Sequence, residues 1–77
     1  MIPEHGKAIL TADIPDQRLQ AGDVGTVVHV YGKGEAYELE FQLLDGTTAG
    51  VATVSSDQVR PVSHDDITHA RQLAAKT

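Results

Sequence analysis

The chain has 77 residues, with 11 acidic and 6 basic side chains, no cysteine and no tryptophan. This length allows one domain but leaves no room for a dinucleotide-binding unit with a separate substrate domain. The lack of cysteine excludes a disulfide scaffold, a thiolate zinc site and an iron–sulfur cluster. The net charge of −5 argues against a general binder of nucleic-acid backbones.

The first predicted strand covers residues 7–12, an apolar run that ends before Pro15. Proline lacks a backbone donor and pushes the residue before it toward extended geometry, so a loop follows the strand. This loop covers residues 13–23, and its two apolar side chains, Ile14 and Leu19, are expected to pin it to the domain surface. A loop of this length is a candidate recognition surface.

The next strand, residues 26–31, is the strongest strand signal because nearly all its residues are β-branched or aromatic. Gly25 just before it indicates a bulge or a close approach of two backbones. The following strand, residues 37–43, alternates apolar and polar side chains. That period of two predicts one dry and one wet face. The inward set is Tyr37, Leu39, Phe41 and Leu43, and the solvent-facing set is Glu38, Glu40 and Gln42.

A hairpin turn is predicted at Asp45 and Gly46, because this dipeptide between apolar runs favours a tight turn. The strand that returns from it covers residues 47–54, and a short last strand covers residues 58–62. Pro61 places the end of the last strand at a sheet edge.

The C-terminus predicts an α-helix that starts at Ser63, with acidic residues in its first turn. Ile67, Ala70 and Leu73 or Ala74 follow at helical spacing and form one apolar stripe. A helix this short is marginal in water, so we expect it to lie on its own domain or on another subunit. The two alternatives remain open.

The predicted fold is therefore mainly β: an SH3-like, five-stranded, partly open barrel with a C-terminal α-helix. The barrel would occupy residues 1–62, and the helix and tail residues 63–77. The chain has no apolar run long enough to span a membrane and no secretion-signal pattern at its start, so a cytoplasmic location is expected.

The order and spacing of several short motifs resemble a family of small bacterial proteins known as a domain of unknown function. These motifs are GDVGTVV from Gly22, YELEF from Tyr37, DG at Asp45 and QVRP from Gln58. The resemblance covers roughly residues 7–62 and implies an SH3-like fold. It implies no catalytic residues, and it points to an antitoxin-like or accessory partner of a neighbouring gene product.

The segment from Gly22 to Val28 also resembles the glycine-centred turn of the KOW motif, an SH3-like element that contacts RNA. Nucleic-acid binding from Gly22 to Tyr31 is therefore the alternative function. The side chains around this segment are mostly acidic, with Arg18 and Lys33 as the nearest bases. A nucleic-acid partner is for this reason the less favoured interpretation.

No catalytic or metal-ligating pattern stands out in the sequence. His64 and His69 are five residues apart and would point away from each other on a helix. Glu38 and Glu40 lie two apart on a strand and fit a solvated stripe better than an acid–base pair. We therefore expect no enzyme activity, no cofactor and no metal.

The leading functional hypothesis is a non-catalytic module that binds another protein chain. The acidic stripe would meet a basic partner, because complementary charge steers association. A homo-oligomer formed through the C-terminal helix is an alternative. The candidate partner-binding residues are Asp16, Arg18, Leu19, Tyr31, Glu38, Glu40, Ile67 and Leu73.

Overall fold

A computed structural model describes residues 1–73 of the chain. Those residues form five β-strands: β1 Lys7–Leu10, β2 Val24–Tyr31, β3 Ala36–Gln42, β4 Thr48–Ser55 and β5 Val59–Pro61. Two single 3-10 turns, Pro15–Gln17 and Ser56–Gln58, lie in the connections before β2 and β5. The prediction of a mainly β chain with five strands is confirmed.

The strands form one antiparallel sheet in the order β4-β3-β2-β1-β5. No pairing joins β4 to β5 in the part of the chain that the structure describes, so the sheet is not closed. The predicted partly open barrel is therefore wrong. β5 has only three residues, and its Pro61 has no N–H to donate, so this strand offers little backbone for closing the sheet.

One face of the sheet carries the core. Its side chains come from alternate positions of the strands, as the period of two in β3 predicts. Ile2 from the N-terminal segment and Leu19 from the loop before β2 cover this face. The buried cluster consists of Ile2, Ala8, Leu10, Leu19, Val27, Tyr37, Leu39, Phe41, Ala52, Val54 and Val59. Leu43, predicted to point inward, is half-exposed because β3 ends at Gln42.

Gly25 lies where β2 passes under an aromatic ring of β3. A Cβ atom at this position would lie 2.9 Å from Cε2 of Phe41 and 3.2 Å from Cβ of Leu39. Glycine is therefore needed here for a close approach between strands, as predicted. The bulge in β2 falls later, between Val27 and His29.

The loop before β2 is anchored as the sequence predicts. Ile14 and Leu19 pair with each other through backbone hydrogen bonds of 2.9 and 3.2 Å. Leu19 is 4% exposed and joins the core, while Ile14 packs against it. The two residues hold the 3-10 turn Pro15–Gln17 at the surface.

The predicted C-terminal α-helix is wrong, because residues 63–73 contain no helix. The Ser63 amide donates to the carboxylate of Asp66, but this capping contact leads into a single turn only. Asp66 is instead bound by Arg60, which holds the segment against β5. Ile67 of the proposed stripe is 91% exposed, so no surface supplies the packing energy that a short helix needs.

Candidate functional site

The face of β2, β3 and β4 that points away from the core is here called the outer face. The register of the sheet sets its side chains in rows that cross the three strands. One row is Thr26, Glu40 and Val51. The next row is His29, Glu38 and Thr53. Tyr31, at the end of β2, lies on the same face by strand alternation. The outer face thus includes Thr26, His29, Tyr31, Glu38, Glu40, Val51 and Thr53.

Tyr31, which pairs with Ala36, reaches across to Glu38 in the neighbouring row. The Tyr31 hydroxyl donates a hydrogen bond of 3.2 Å to a carboxylate oxygen of Glu38. The His29 ring packs edge-on against the Tyr31 ring, with 4.4 Å between centroids. Tyr31 remains 40% exposed, so one side of this cluster is open to contact from outside.

Glu40 lies in the neighbouring row and accepts a 2.7 Å hydrogen bond from the Thr48 hydroxyl. Lys7 on β1 donates to Thr26 at 2.7 Å and makes no ion pair with Glu40. Within residues 1–73 neither Glu38 nor Glu40 has a salt bridge. The outer face therefore carries two negative charges without a basic partner, beside the exposed Val51.

A cleft of about 490 Å³ lies between the sheet and the C-terminal segment, residues 68–73. Its floor is mostly apolar, and Leu44 at the tip of the β3–β4 hairpin is 98% exposed beside it. The apolar side chains that line the cleft are Leu19, Val24, Phe41, Leu43, Leu44, Ala49, Ala70 and Leu73.

An ion pair fixes the C-terminal wall of this cleft. Arg71 donates to both carboxylate oxygens of Asp23, at 2.9 and 2.6 Å, and to the carbonyl oxygen of Arg18 at 2.9 Å. Burial by itself raises the pKa of the Asp23 carboxyl, but the hydrogen bonds from Arg71 and the Gln20 amide outweigh it and hold the pKa below 3.8. The charged pair therefore has a structural role at this wall of the cleft.

The outer edge of β4 is a separate surface from the outer face and the cleft, which share Thr26 and Glu40. β4 pairs with β3 along its whole length and with no other strand. Apart from that ladder, no backbone hydrogen bond reaches Thr48, Ala49 or residues 50–54 within the described part of the chain. The edge therefore presents unpaired amide and carbonyl groups.

The predicted partner-binding residues fall into different environments. Tyr31, Glu38 and Glu40 are brought together on the outer face. Asp16 is exposed in the turn Pro15–Gln17, and Arg18 follows it in the left-handed conformation with φ 60.

The three apolar residues among the predicted partner-binding residues lie in three different places. Leu19 is a core residue, so its side chain is not available to a partner. Ile67 is exposed and Leu73 lines the cleft, and without a helix they do not form one stripe.

Two features escaped the sequence analysis. Arg71 lies 48 residues from Asp23, and no local pattern connects the two. The β4 edge did carry a signal, because residues 47–56 contain no charged residue and no proline.

The described residues contain no group of three histidine, aspartate or glutamate side chains that could hold a metal ion. The ionisable side chains on the outer face are His29 and Tyr31, which are exposed, and Glu38 and Glu40, which are half-buried. None of the helical turns in residues 1–73 is long and apolar enough to cross a membrane.

The comparisons with known proteins agree with the resemblance seen in the sequence. Residues 4–61 match a family described as a domain of unknown function, DUF4926. Neither a curated protein nor a solved structure matches the chain. The matched region contains the whole sheet from β1 to β5, well over half of the chain, and the protein therefore belongs to the DUF4926 family.

Proposed function

We propose that this chain is a non-catalytic module that binds another protein through the outer face of its sheet. The observation that carries the proposal is the chemistry of that face: two carboxylates without basic partners, Glu38 and Glu40, lie beside the exposed side chains of Tyr31 and Val51. Exposed aromatic and aliphatic groups supply contact area, and uncompensated charge selects the sign of the partner.

The partner expected from this face is basic. Opposite charges steer the encounter and reject acidic surfaces, and the net charge of −5 extends the same preference to the whole molecule. A product of a neighbouring gene, to which this chain would be an antitoxin-like or accessory protein, is the kind of partner that the family resemblance suggests.

Selection from a phage library of random 12-residue peptides tests this function. We expect enriched peptides rich in Lys and Arg with interspersed apolar residues, and we expect Glu40→Lys to weaken their binding. Glu4→Lys makes the same change in net charge in the turn before β1 and should leave binding nearly unchanged. Failure to enrich any binder, or equal loss with both variants, would contradict the proposal.

Nucleic-acid binding along Gly22 to Tyr31 has no comparable support. Asp23 in this segment already binds Arg71, and Glu38 and Glu40 flank the strand on β3. We therefore expect no retardation of RNA or DNA even at low salt, where phosphate contacts are strongest.

A further inference from the structure

The two edge strands of the sheet, β5 and β4, differ in how well they are protected against pairing with a further strand. β5 is three residues long and contains Arg60 and Pro61, which discourage a further strand. β4 is eight residues long, with the sequence TAGVATVS, and has neither a charge nor a proline. Its irregularity in register lies at its start, opposite Phe41 and Gln42, so the stretch from Gly50 to Ser55 is regular.

The described chain does not use the β4 edge itself. The C-terminal segment packs toward Asp23, and Ala49 is the one residue of β4 that lines the cleft beside this segment. Gln17 lies near the start of β4, where its Oε1 atom is 4.0 Å from the position that a Cβ atom of Gly50 would occupy. Beyond these points the edge faces outward with its hydrogen-bonding groups unpaired.

An added strand at this edge would meet two different surfaces. On the core side it would extend the apolar layer beside Ala52 and Val54. On the outer face it would lie beside Val51 and Thr53, two strand spacings or about 10 Å from the backbone of Glu38 and Glu40. Long basic side chains can cross that distance, and apolar side chains suit the opposite face.

We propose that β4 accepts an extended segment of a partner protein as a sixth strand, with basic residues on the outer face and apolar residues on the core side. This inference rests on the proposed function, because it names the binding mode and the partner chemistry of that same face. Backbone hydrogen bonds along β4 supply affinity, and the alternation of basic and apolar side chains supplies selectivity. Glu38 and Glu40 recognise the basic residues.

A second copy of the chain fits this edge less well. It would pair two uncharged strands, but each copy carries a net charge of −5 and brings its own Glu38 and Glu40 to the enlarged face. The acidic stripes gain no counter-charge in such a dimer, whereas a basic segment neutralises them.

The test uses the whole chain, isotope-labelled, and a blocked synthetic peptide, Arg-Val-Lys-Val-Lys-Val-Arg-Thr. We expect amide shifts centred on β4 and slower hydrogen exchange of β4 amides that are unpaired in the free chain. One control peptide replaces the second and third of its three valines with proline, which keeps the charge but removes backbone donors. A second has the same composition with its basic residues contiguous. Both should bind at least fivefold more weakly.

The protein variants test the charge recognition. Glu40→Lys should weaken the alternating peptide about fivefold to tenfold at low salt, and Glu4→Lys should change its affinity less than twofold. Sedimentation of the free chain should show a monomer. A dimer whose β4 amides are already protected would assign the edge to a second copy and overturn the proposal.

The remaining outcomes separate this inference from the proposed function. If the proline peptide binds as well as the alternating one and β4 amides stay unprotected, strand addition is wrong while binding by the outer face stands. If the alternating peptide does not bind but the phage selection yields binders sensitive to Glu40→Lys, strand addition is again wrong. If neither produces binding, both proposals are wrong.

Discussion

Arg71 binds Asp23 through two hydrogen bonds, from Nε to one carboxylate oxygen at 2.9 Å and from Nη2 to the other at 2.6 Å. Both side chains are largely shielded from solvent, and Nη2 also donates to the carbonyl of Arg18. The pair joins a segment outside the DUF4926 match to the turn that precedes β2. The Arg71–Asp23 pair therefore holds the end of the C-terminal segment near β2, while the Arg60–Asp66 pair holds its start near β5.

Replacing this guanidinium should release the C-terminal segment and leave the sheet folded. We expect Arg71→Ala to lower the free energy of unfolding by about 1 kcal/mol, since charge-assisted hydrogen bonds at a partly solvated site are lost. Amide exchange of residues 67–73 should rise while that of β3 stays slow. Gln72→Ala, at the exposed neighbouring position, is the control and should change neither quantity. Unchanged exchange in Arg71→Ala would show that the pair does not hold the segment.

Two carboxyl groups should make the chain sensitive to acid. The hydrogen bonds from Arg60 and the Ser63 amide lower the pKa of Asp66 to about 2, and the pKa of Asp23 is also below 3.8. A lowered pKa in the folded state means that the ionised form stabilises the fold. This stabilisation is present above 3.8 and is lost as the pH falls toward about 2.

Thermal unfolding measured from neutral to acidic pH tests this expectation. The Tm of the natural chain should fall more steeply below the ordinary Asp pKa than that of the variants Asp23→Asn and Asp66→Asn, which cannot lose the charge. Asp16→Asn, at an exposed position with no described ion pair, is the control. Parallel curves for all four proteins would contradict the assignment.

Because β2 and β3 approach closely at Gly25, adding one methyl group there should destabilise the fold strongly. Gly25→Ala should lower the free energy of unfolding by about 1–3 kcal/mol, because the new Cβ would overlap the ring of Phe41. Gly50→Ala is the matched control: it lies in β4 opposite Phe41, and its Cβ would have only Gln17 Oε1 at 4.0 Å. Chemical denaturation should show a clear loss for the first variant and a change within about 0.5 kcal/mol for the second.

Ile67 lies in a segment without a helix, and its exposed side chain leads to a further prediction. Ile67→Ser should leave the midpoint of unfolding unchanged, because its side chain is almost fully exposed. Leu39→Ala is the contrasting change, since Leu39 is fully buried and a cavity at such a site costs about 2–5 kcal/mol. A destabilising Ile67→Ser would mean that this side chain packs against the sheet after all.

The strands could be predicted because their signals are local. The alternation in β3 separates the buried Tyr37, Leu39 and Phe41 from the outward Glu38 and Glu40, and the glycine before the strongest run marks a close approach. The C-terminal helix failed for the opposite reason. Its apolar spacing was correct as a pattern, but a short helix forms only where a surface receives it, and Arg60 and Asp23 bind this segment instead.

The candidate interface could be predicted only in part. Tyr31, Glu38 and Glu40 were selected from single segments, and the antiparallel register brings them onto one face. Leu19 had two interpretations, as an anchor of the loop and as a contact for a partner, and its burial selects the first.

By itself, the order of residues determined the five strands, the turns between them and the sign of the surface charge, because each depends on neighbours a few positions apart. Only the three-dimensional arrangement decided that the sheet stays open, that β4 rather than β5 is the bare edge, and that Arg71 reaches Asp23. These features depend on which distant segments come together, and that choice is made by the burial and hydrogen bonding of the whole chain.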